Sequence, residues 1–312
     1  MTLAFVFPGQ GSQSVGMMKG FAAHAEVRAT FDEASVALGF DLWTLVENGP
    51  VEELNQTVNT QPAMLAADVA IWRAWRAAGG AMPAYFAGHS LGEYAALVAA
   101  GALDFADAIR LVRLRAEAMQ AAVPEGVGAM AAILGLADDA VRTACLDAAQ
   151  GEVCEAVNFN SPGQIVIAGN KAAVERAMAA CKAAGAKRAL PLPVSVPSHS
   201  SLMRPAAEVL AAHLATVDLH APVVPVLHNT DVDSHASAGA IRDALARQLH
   251  TPVRWVETVQ ALAAAGVDRV IECGPGKVLA GLNKRIVDGM VALAITDEAS
   301  LVTALAPAEV AA

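Results

Sequence analysis

The chain has 312 residues, of which 55% are hydrophobic and 17% charged, with a formal net charge of −10. This core-forming composition excludes a disordered chain, and the acidic balance argues against nucleic acid as a partner. No apolar run reaches the ~18 residues a spanning helix needs, so no membrane segment is expected. The length suits one large α/β domain, or a large domain with a smaller one inserted. The four cysteines, Cys145, Cys154, Cys181 and Cys273, form no CxxC pair and none sits at zinc-ligand spacing from a histidine. They read as reduced, buried thiols of a cytoplasmic protein.

The opening "MTLAFVFPGQGSQ" has no basic segment before its short apolar run and no cleavage site. It reads as a first strand, Leu3–Phe7, and not as a signal peptide. A helix is predicted over Ala63–Ala78, then a strand at Tyr85–Ala87, then helices over Leu91–Ala100 and Asp104–Ala122. From Val127 to Val194 the order changes. It runs strand (Ala129–Leu134), helix (Asp138–Ala149), strand (Val153–Asn158), the turn "NSPG", strand (Gln164–Ala168), helix (Lys171–Ala184), strand (Ala189–Leu192). That is the β-α-β-β-α-β order of a ferredoxin-like unit, bounded by "PEGVG" at its entry and "PLPV" at its exit. Beyond it come helices over Leu202–Leu214, Ala238–Leu249, Val253–Ala265 and Lys277–Ile286. Strands are expected at Val224–Leu227, Val270–Glu272 and Val291–Ile295, and the final "PAEVAA" reads as a loose tail. Strands alternating with helices predict an α/β fold with a mainly parallel sheet covered on both faces. The expected division is a large domain of residues 1–125 and 196–312, interrupted by a small inserted domain of residues 126–195.

Gly88-His89-Ser90-Leu91-Gly92 fits GxSxG, and it stands between a predicted strand and a predicted helix, which is the context that motif requires. Ser90 is then a nucleophile on a sharp turn, with the Leu91 N–H facing an oxyanion, or it is an ordinary N-cap. A second glycine-rich turn, "FPGQGSQ", follows the first strand. It lacks the GK[ST] of a Walker motif and the GxGxxG of a dinucleotide site. It is a plain turn, or the source of a second oxyanion N–H from Gln10.

A serine nucleophile needs a base. His89 is part of the elbow, with its ring directed elsewhere. His24, His213, His220 and His235 read as surface residues, and His228 and His250 as satisfied core histidines. His199, in the proline-containing loop "VSVPSHSSLM", follows the serine in the chain order of α/β hydrolases. No aspartate between Ser90 and His199 stands out as a third member, which weakens a hydrolase triad. Arg115 is out of place on its helix. Arg110, Arg113, Glu117 and Gln120 mark the solvent stripe, whereas the neighbours of Arg115 one turn away are Leu111, Val112, Ala118 and Met119. An arginine in an apolar stripe is a structural ion pair or a fork for a substrate carboxylate.

The motifs "FPGQGSQ", "TQPA" (Thr60–Ala63), "GHSLGE", "RLRAEAMQ" around Arg115, "VPSHSSLM", "RQLHTPVRW" and "ECGPGKVL" together resemble the malonyl-CoA:acyl carrier protein transacylases of the acyltransferase family. They run in that family's order from Phe7 to Leu279. The resemblance implies an α/β-hydrolase-like large domain with an inserted ferredoxin-like small domain. It implies Ser90 as nucleophile, His199 as base, and the main-chain carbonyl of Gln248 in place of a triad aspartate. Gln10 and Leu91 match the oxyanion-hole donors, Arg115 matches the arginine that grips the malonyl carboxylate, and Gln61 matches a glutamine near the acyl group. The implied partners are malonyl-CoA, with CoA as product, and acyl carrier protein; no permanently bound cofactor or metal is implied. Lys187 and Arg188, with Lys277, Lys284 and Arg285, are the basic clusters available to an acidic carrier. Three alternatives stay open: a related acyltransferase serving a polyketide or decarboxylase carrier, a serine thioesterase, and a non-catalytic interaction subunit.

Overall fold

The computed structural model describes residues 2–194 and 196–306. Among them are nine strands: β1 (Thr2–Phe7), β2 (Tyr85–Gly88), β3 (Gly128–Leu134), β4 (Cys154–Ser161), β5 (Gln164–Asn170), β6 (Arg188–Pro191), β7 (Val226–Leu227), β8 (Val267–Cys273) and β9 (Val291–Ile295). They form two sheets, one ordered β7-β2-β1-β8-β9 and the other β4-β5-β3-β6.

Every pairing in the first sheet is parallel. Its central strand, "TLAFVF", is a near-continuous apolar run, as a strand covered on both faces must be. Alternate side chains leave opposite faces. Phe5 and Phe7 join Trp72, Trp75 and Phe86 on one side, against the helix Thr57–Ala77. Ala4 and Val6 meet Ala87, Trp255, Val259 and Val270 on the other. Each fully buried Phe contributes about 2–3 kcal/mol from area removed from water. The second sheet is antiparallel throughout, and helices Asp138–Ala149 and Lys171–Ala183 cover one face. Its strand order is the ferredoxin-like one.

Several expected elements shift. The helix expected from Ala63 begins at Thr57 and carries Pro62 inside it. Proline cannot donate to the carbonyl one turn earlier. That carbonyl, of Val58, accepts instead from the Arg113 guanidinium at 3.1 Å. The helix expected from Val253 begins at Trp255, because Val253 pairs with the outer edge of β4. Its N–H donates to Val157 O at 2.8 Å, and its carbonyl accepts from Phe159 N at 3.0 Å. The helix expected over Lys277–Ile286 shortens to Val278–Asn283, and that from Leu202 starts as a 3-10 turn before Arg204. Residues Ala25–Leu38, Leu42–Asn48, Val51–Leu54 and Glu298–Leu305 are also helical. The tail expected at Pro307–Ala312 lies outside the described residues.

Candidate active site

Ser90 follows β2, at the carboxyl end of the parallel sheet, where open α/β sheets place their ligands. Its φ is +52°, a left-handed conformation that a residue with a Cβ adopts at a cost of about 1–3 kcal/mol. The flanking glycines make the turn possible. A Cβ on Gly88 would come 2.0 Å from the Gly92 backbone, and one on Gly92 would come 2.1 Å from the Phe7 carbonyl oxygen. No side chain fits at either position.

The loop before helix Arg204–Leu214 brings His199 to the serine. The Ser90 hydroxyl donates to His199 Nε2 at 2.7 Å. On the other side of the ring, His199 Nδ1–H donates to the Gln248 main-chain oxygen at 2.8 Å. A carbonyl can only accept, so it fixes the proton on Nδ1 and leaves Nε2 free to take one. His199 also has a positive φ, +65°. Its ring is buried, and its pKa is pushed down to about 3, first by burial and then by the positive charge of Arg115. The histidine is therefore a neutral acceptor throughout the ordinary pH range.

Arg115, 2% exposed, reaches the same point from helix Phe105–Ala122. Nη1 donates to Gln61 Oε1 at 2.7 Å, and Nη2 donates to Gln248 Oε1 at 3.1 Å and to Ser90 Oγ at 3.3 Å. All three partners are neutral oxygens. Burial pushes the Arg115 pKa down, with Tyr94 and then Glu93 opposing that shift. A guanidinium keeps its charge even so. A buried cation held only by neutral acceptors still has its charge uncompensated by an anion among its hydrogen-bond partners.

The whole-chain comparisons agree on one family. Residues 4–304 match the model of an acyl transferase domain. The chain belongs to the acyl transferase family. This acyltransferase is 61% identical over 303 residues to a Salmonella typhimurium protein named malonyl CoA-acyl carrier protein transacylase, covering 97% of this chain and 98% of that one. Among solved structures it resembles a malonyl-transacylase in complex with its type II PKS acyl-carrier protein. There the TM-score is 0.97 with 59% identity over 98% of this chain and 99% of that one. An acyl carrier protein S-malonyltransferase from Vibrio cholerae matches with TM-score 0.95 and 60% identity, over 97% of this chain and 99% of the other. The fold of the acyltransferase is the two-domain α/β fold of these neighbours.

Five of the seven expected site residues are joined by hydrogen bonds: Ser90, His199, Gln248, Arg115 and Gln61. The Gln61 side-chain nitrogen also lies 3.6 Å from the Met119 sulfur. Leu91 follows the serine and is buried. Gln10 is exposed, and its side chain accepts from the Thr57 hydroxyl at 2.9 Å. Its loop abuts the elbow, since a Cβ on Gly9 would come 2.7 Å from the His89 carbonyl oxygen. Among the described residues, neither the Gln10 nor the Leu91 N–H donates to another protein group.

The other histidines of the acyltransferase separate by partner. The His89 ring turns away from the site, bonding Asn160 of β4 through Nε2 at 2.8 Å. His228 is fully buried and bonds Glu93 at 2.6 Å, while His250 is only half-buried. His24 is not a free surface group; it pairs with Glu298. Sequence reasoning misses Glu93, Asn229 and Gln248's side chain as members of the buried network. Glu93 looks like an acid in a helix's first turn, the usual partner of the helix dipole. Asn229 looks like a turn residue. Their partners lie more than 130 positions away, and no local pattern marks them.

Proposed function

We infer that this chain transfers the malonyl group of malonyl-CoA to the phosphopantetheine thiol of acyl carrier protein, through an ester on Ser90. The observation that carries this reading is the Arg115 fork within hydrogen-bond range of the Ser90 hydroxyl. An acyl group on Ser90 that ends in a carboxylate would meet the guanidinium at once.

The Ser90 hydroxyl gives its proton to His199 Nε2 as Oγ attacks the thioester carbonyl. The N–H groups of Gln10 and Leu91 receive the oxyanion; such a donor is typically worth about 3–4 kcal/mol. The carbon–sulfur bond then breaks, and the CoA sulfur takes the proton from Nε2. The carrier thiol enters next, gives its proton to Nε2 and attacks the ester, and Ser90 leaves with that proton. Arg115 also tunes the base. The malonyl carboxylate offsets the charge that helps depress the His199 pKa, so the histidine becomes more basic when the matching acyl group arrives. A carbonyl at Gln248 orients the ring without placing a second negative charge beside that carboxylate.

The reading places malonyl-CoA and CoA as substrate and product with no permanent cofactor, and the chain in the cytoplasm. No helix among the described residues is long and apolar enough to cross a membrane. It also divides the chain into residues 1–125 with 196–312, and the insert 126–195. Intact-protein mass after mixing with malonyl-CoA, acetyl-CoA and methylmalonyl-CoA separately tests the function. A malonyl adduct on one serine, discharged by carrier protein, is expected. Release of free malonate without carrier, as fast as transfer, would make the chain a thioesterase.

We assign carrier docking to the basic surface near the interdomain seam. Arg285 donates to Gln164 of β5 at 2.8 Å. Gln164 and Arg188 both pair with Leu134, so Lys187 and Arg188 lie at the same end of the small sheet. Reversing the charges of Lys284 and Arg285 is expected to raise KM for carrier protein and leave KM for malonyl-CoA unchanged. An unchanged carrier KM removes the patch. The carrier is that of fatty-acid synthesis; since one close structural neighbour was solved with a type II PKS carrier, a polyketide carrier is the second reading. Comparing kcat/KM for the two carriers separates them.

A further inference from the structure

The backbone of Ser90 is strained, yet nothing in the transfer chemistry above explains what holds it. Its N–H donates to Asn229 Oδ1 at 2.7 Å, and Asn229 Nδ2 donates to the Gly88 carbonyl at 2.6 Å. One buried side chain thus binds the backbone on both sides of His89, as a neighbouring strand would. Asn229 is itself anchored. Its N–H donates to Glu93 Oε2 at 3.0 Å. Glu93 is fully buried, and its Oε2 also accepts from Gln248 Nε2 at 3.0 Å, while its Oε1 accepts from His228 Nδ1 at 2.6 Å. Gln248 Nε2 donates in addition to the Ser90 carbonyl at 3.0 Å. Both backbone polar groups of Ser90 are therefore bound by side chains that meet on Glu93.

We propose that Asn229, anchored by Glu93, is a positioning residue that sets the reactive conformation of Ser90. It has a second effect on the oxyanion hole. By occupying the Ser90 N–H it removes that group from the oxyanion's reach and leaves the Leu91 N–H as the free donor of the elbow. Buried polar groups act as a network when each member is satisfied, and Asn229 satisfies two at the turn that carries the nucleophile. The clamp touches no reacting atom. It acts on the height and direction of Oγ relative to His199 and the acyl carbon. This rests on the acyl-serine reading above.

The test compares Asn229→Ala and Asn229→Asp with the unmodified full chain, with folding followed by circular dichroism and thermal melting. In Asn229→Ala, kcat is expected to fall about 100-fold, the usual consequence of a reacting group displaced by about 1 Å. KM for malonyl-CoA stays within about threefold, and acetyl-CoA acylation falls by the same factor, because the clamp acts on the serine and not on the carboxylate fork. Asn229→Asp keeps the acceptor for the Ser90 N–H and is expected to recover about tenfold of the loss. If the alanine variant does not fold, Asn229→Asp carries the test alone, with kcat about tenfold below the unmodified chain. Normal kcat in a folded variant, a loss confined to KM, or a loss for malonyl alone overturns the proposal. Labelling of Ser90 by phenylmethanesulfonyl fluoride needs the nucleophile but no malonyl group, and is expected to slow in parallel. Were the malonyl reading wrong, the unmodified chain would fail to take malonyl while the sulfonyl fluoride rates still reported the clamp.

Discussion

Replacing Arg115 with alanine is expected to lower malonyl acylation of Ser90 by about 2–5 kcal/mol in transition-state free energy, the range for removing one partner of a buried, hydrogen-bonded charge pair. That is about 30-fold to several thousand-fold in rate. Acetyl acylation should change by no more than about tenfold, because an acetyl ester offers the guanidinium no anion and already leaves it unpaired. The contrast follows from where the fork sits. In the unliganded site Nη1 and Nη2 rest on Gln61, Gln248 and Ser90. A carboxylate exchanges those neutral acceptors for a bidentate pair. Single-turnover acylation with the two acyl-CoAs, read by intact-protein mass, gives both rates. Equal losses would refute the carboxylate role and leave Arg115 as a support for the fold.

Ser90→Ala should abolish the covalent adduct altogether and lower transfer by about 10⁴-fold or more, as loss of the nucleophile does in serine enzymes. The substitution is small and removes the hydroxyl without changing the backbone strain. Alanine tolerates the +52° φ no better than serine, so the elbow gains no new stability from it. His199 would lose its Nε2 partner while keeping the Gln248 carbonyl, so the ring stays in place. Radiolabel from malonyl-CoA that persists on the alanine variant would point to a different nucleophile and end the two-step scheme.

Much of this site is legible in the chain because its key residues break local rules. Ser90 stands between glycines that a strand–helix turn requires, and Arg115 interrupts an apolar stripe. Those irregularities are visible within ten residues. The small domain is legible for a related reason: its helices Asp138–Ala149 and Lys171–Ala183 carry clear periodicity between short strands. The segment from Ala25 to Leu54 is different. Its first helix, Ala25–Leu38, has His24 at its N-cap with no capping side-chain bond, so the usual Ser, Thr or Asp start signal is absent. The edge contact at Val253 is hidden as well, since a single residue paired with a strand nearly a hundred positions away leaves no pattern. The Gln248 carbonyl is invisible to side-chain reasoning altogether, and only resemblance suggests it.

The docking of β4 decides how the small domain can move. Its outer edge is bonded to Val253 in both directions. Glu155 near its start accepts from the Ser201 N–H and hydroxyl at 2.8 and 2.7 Å, two residues past His199. Asn160 near its end holds His89, one residue before Ser90. A swing of β4 would pull on the backbone beside Ser90 and beside His199 together, and would strand several polar groups at the seam. The β4 strand is thus tied at its start to the loop that carries His199 and at its end to the turn that carries Ser90.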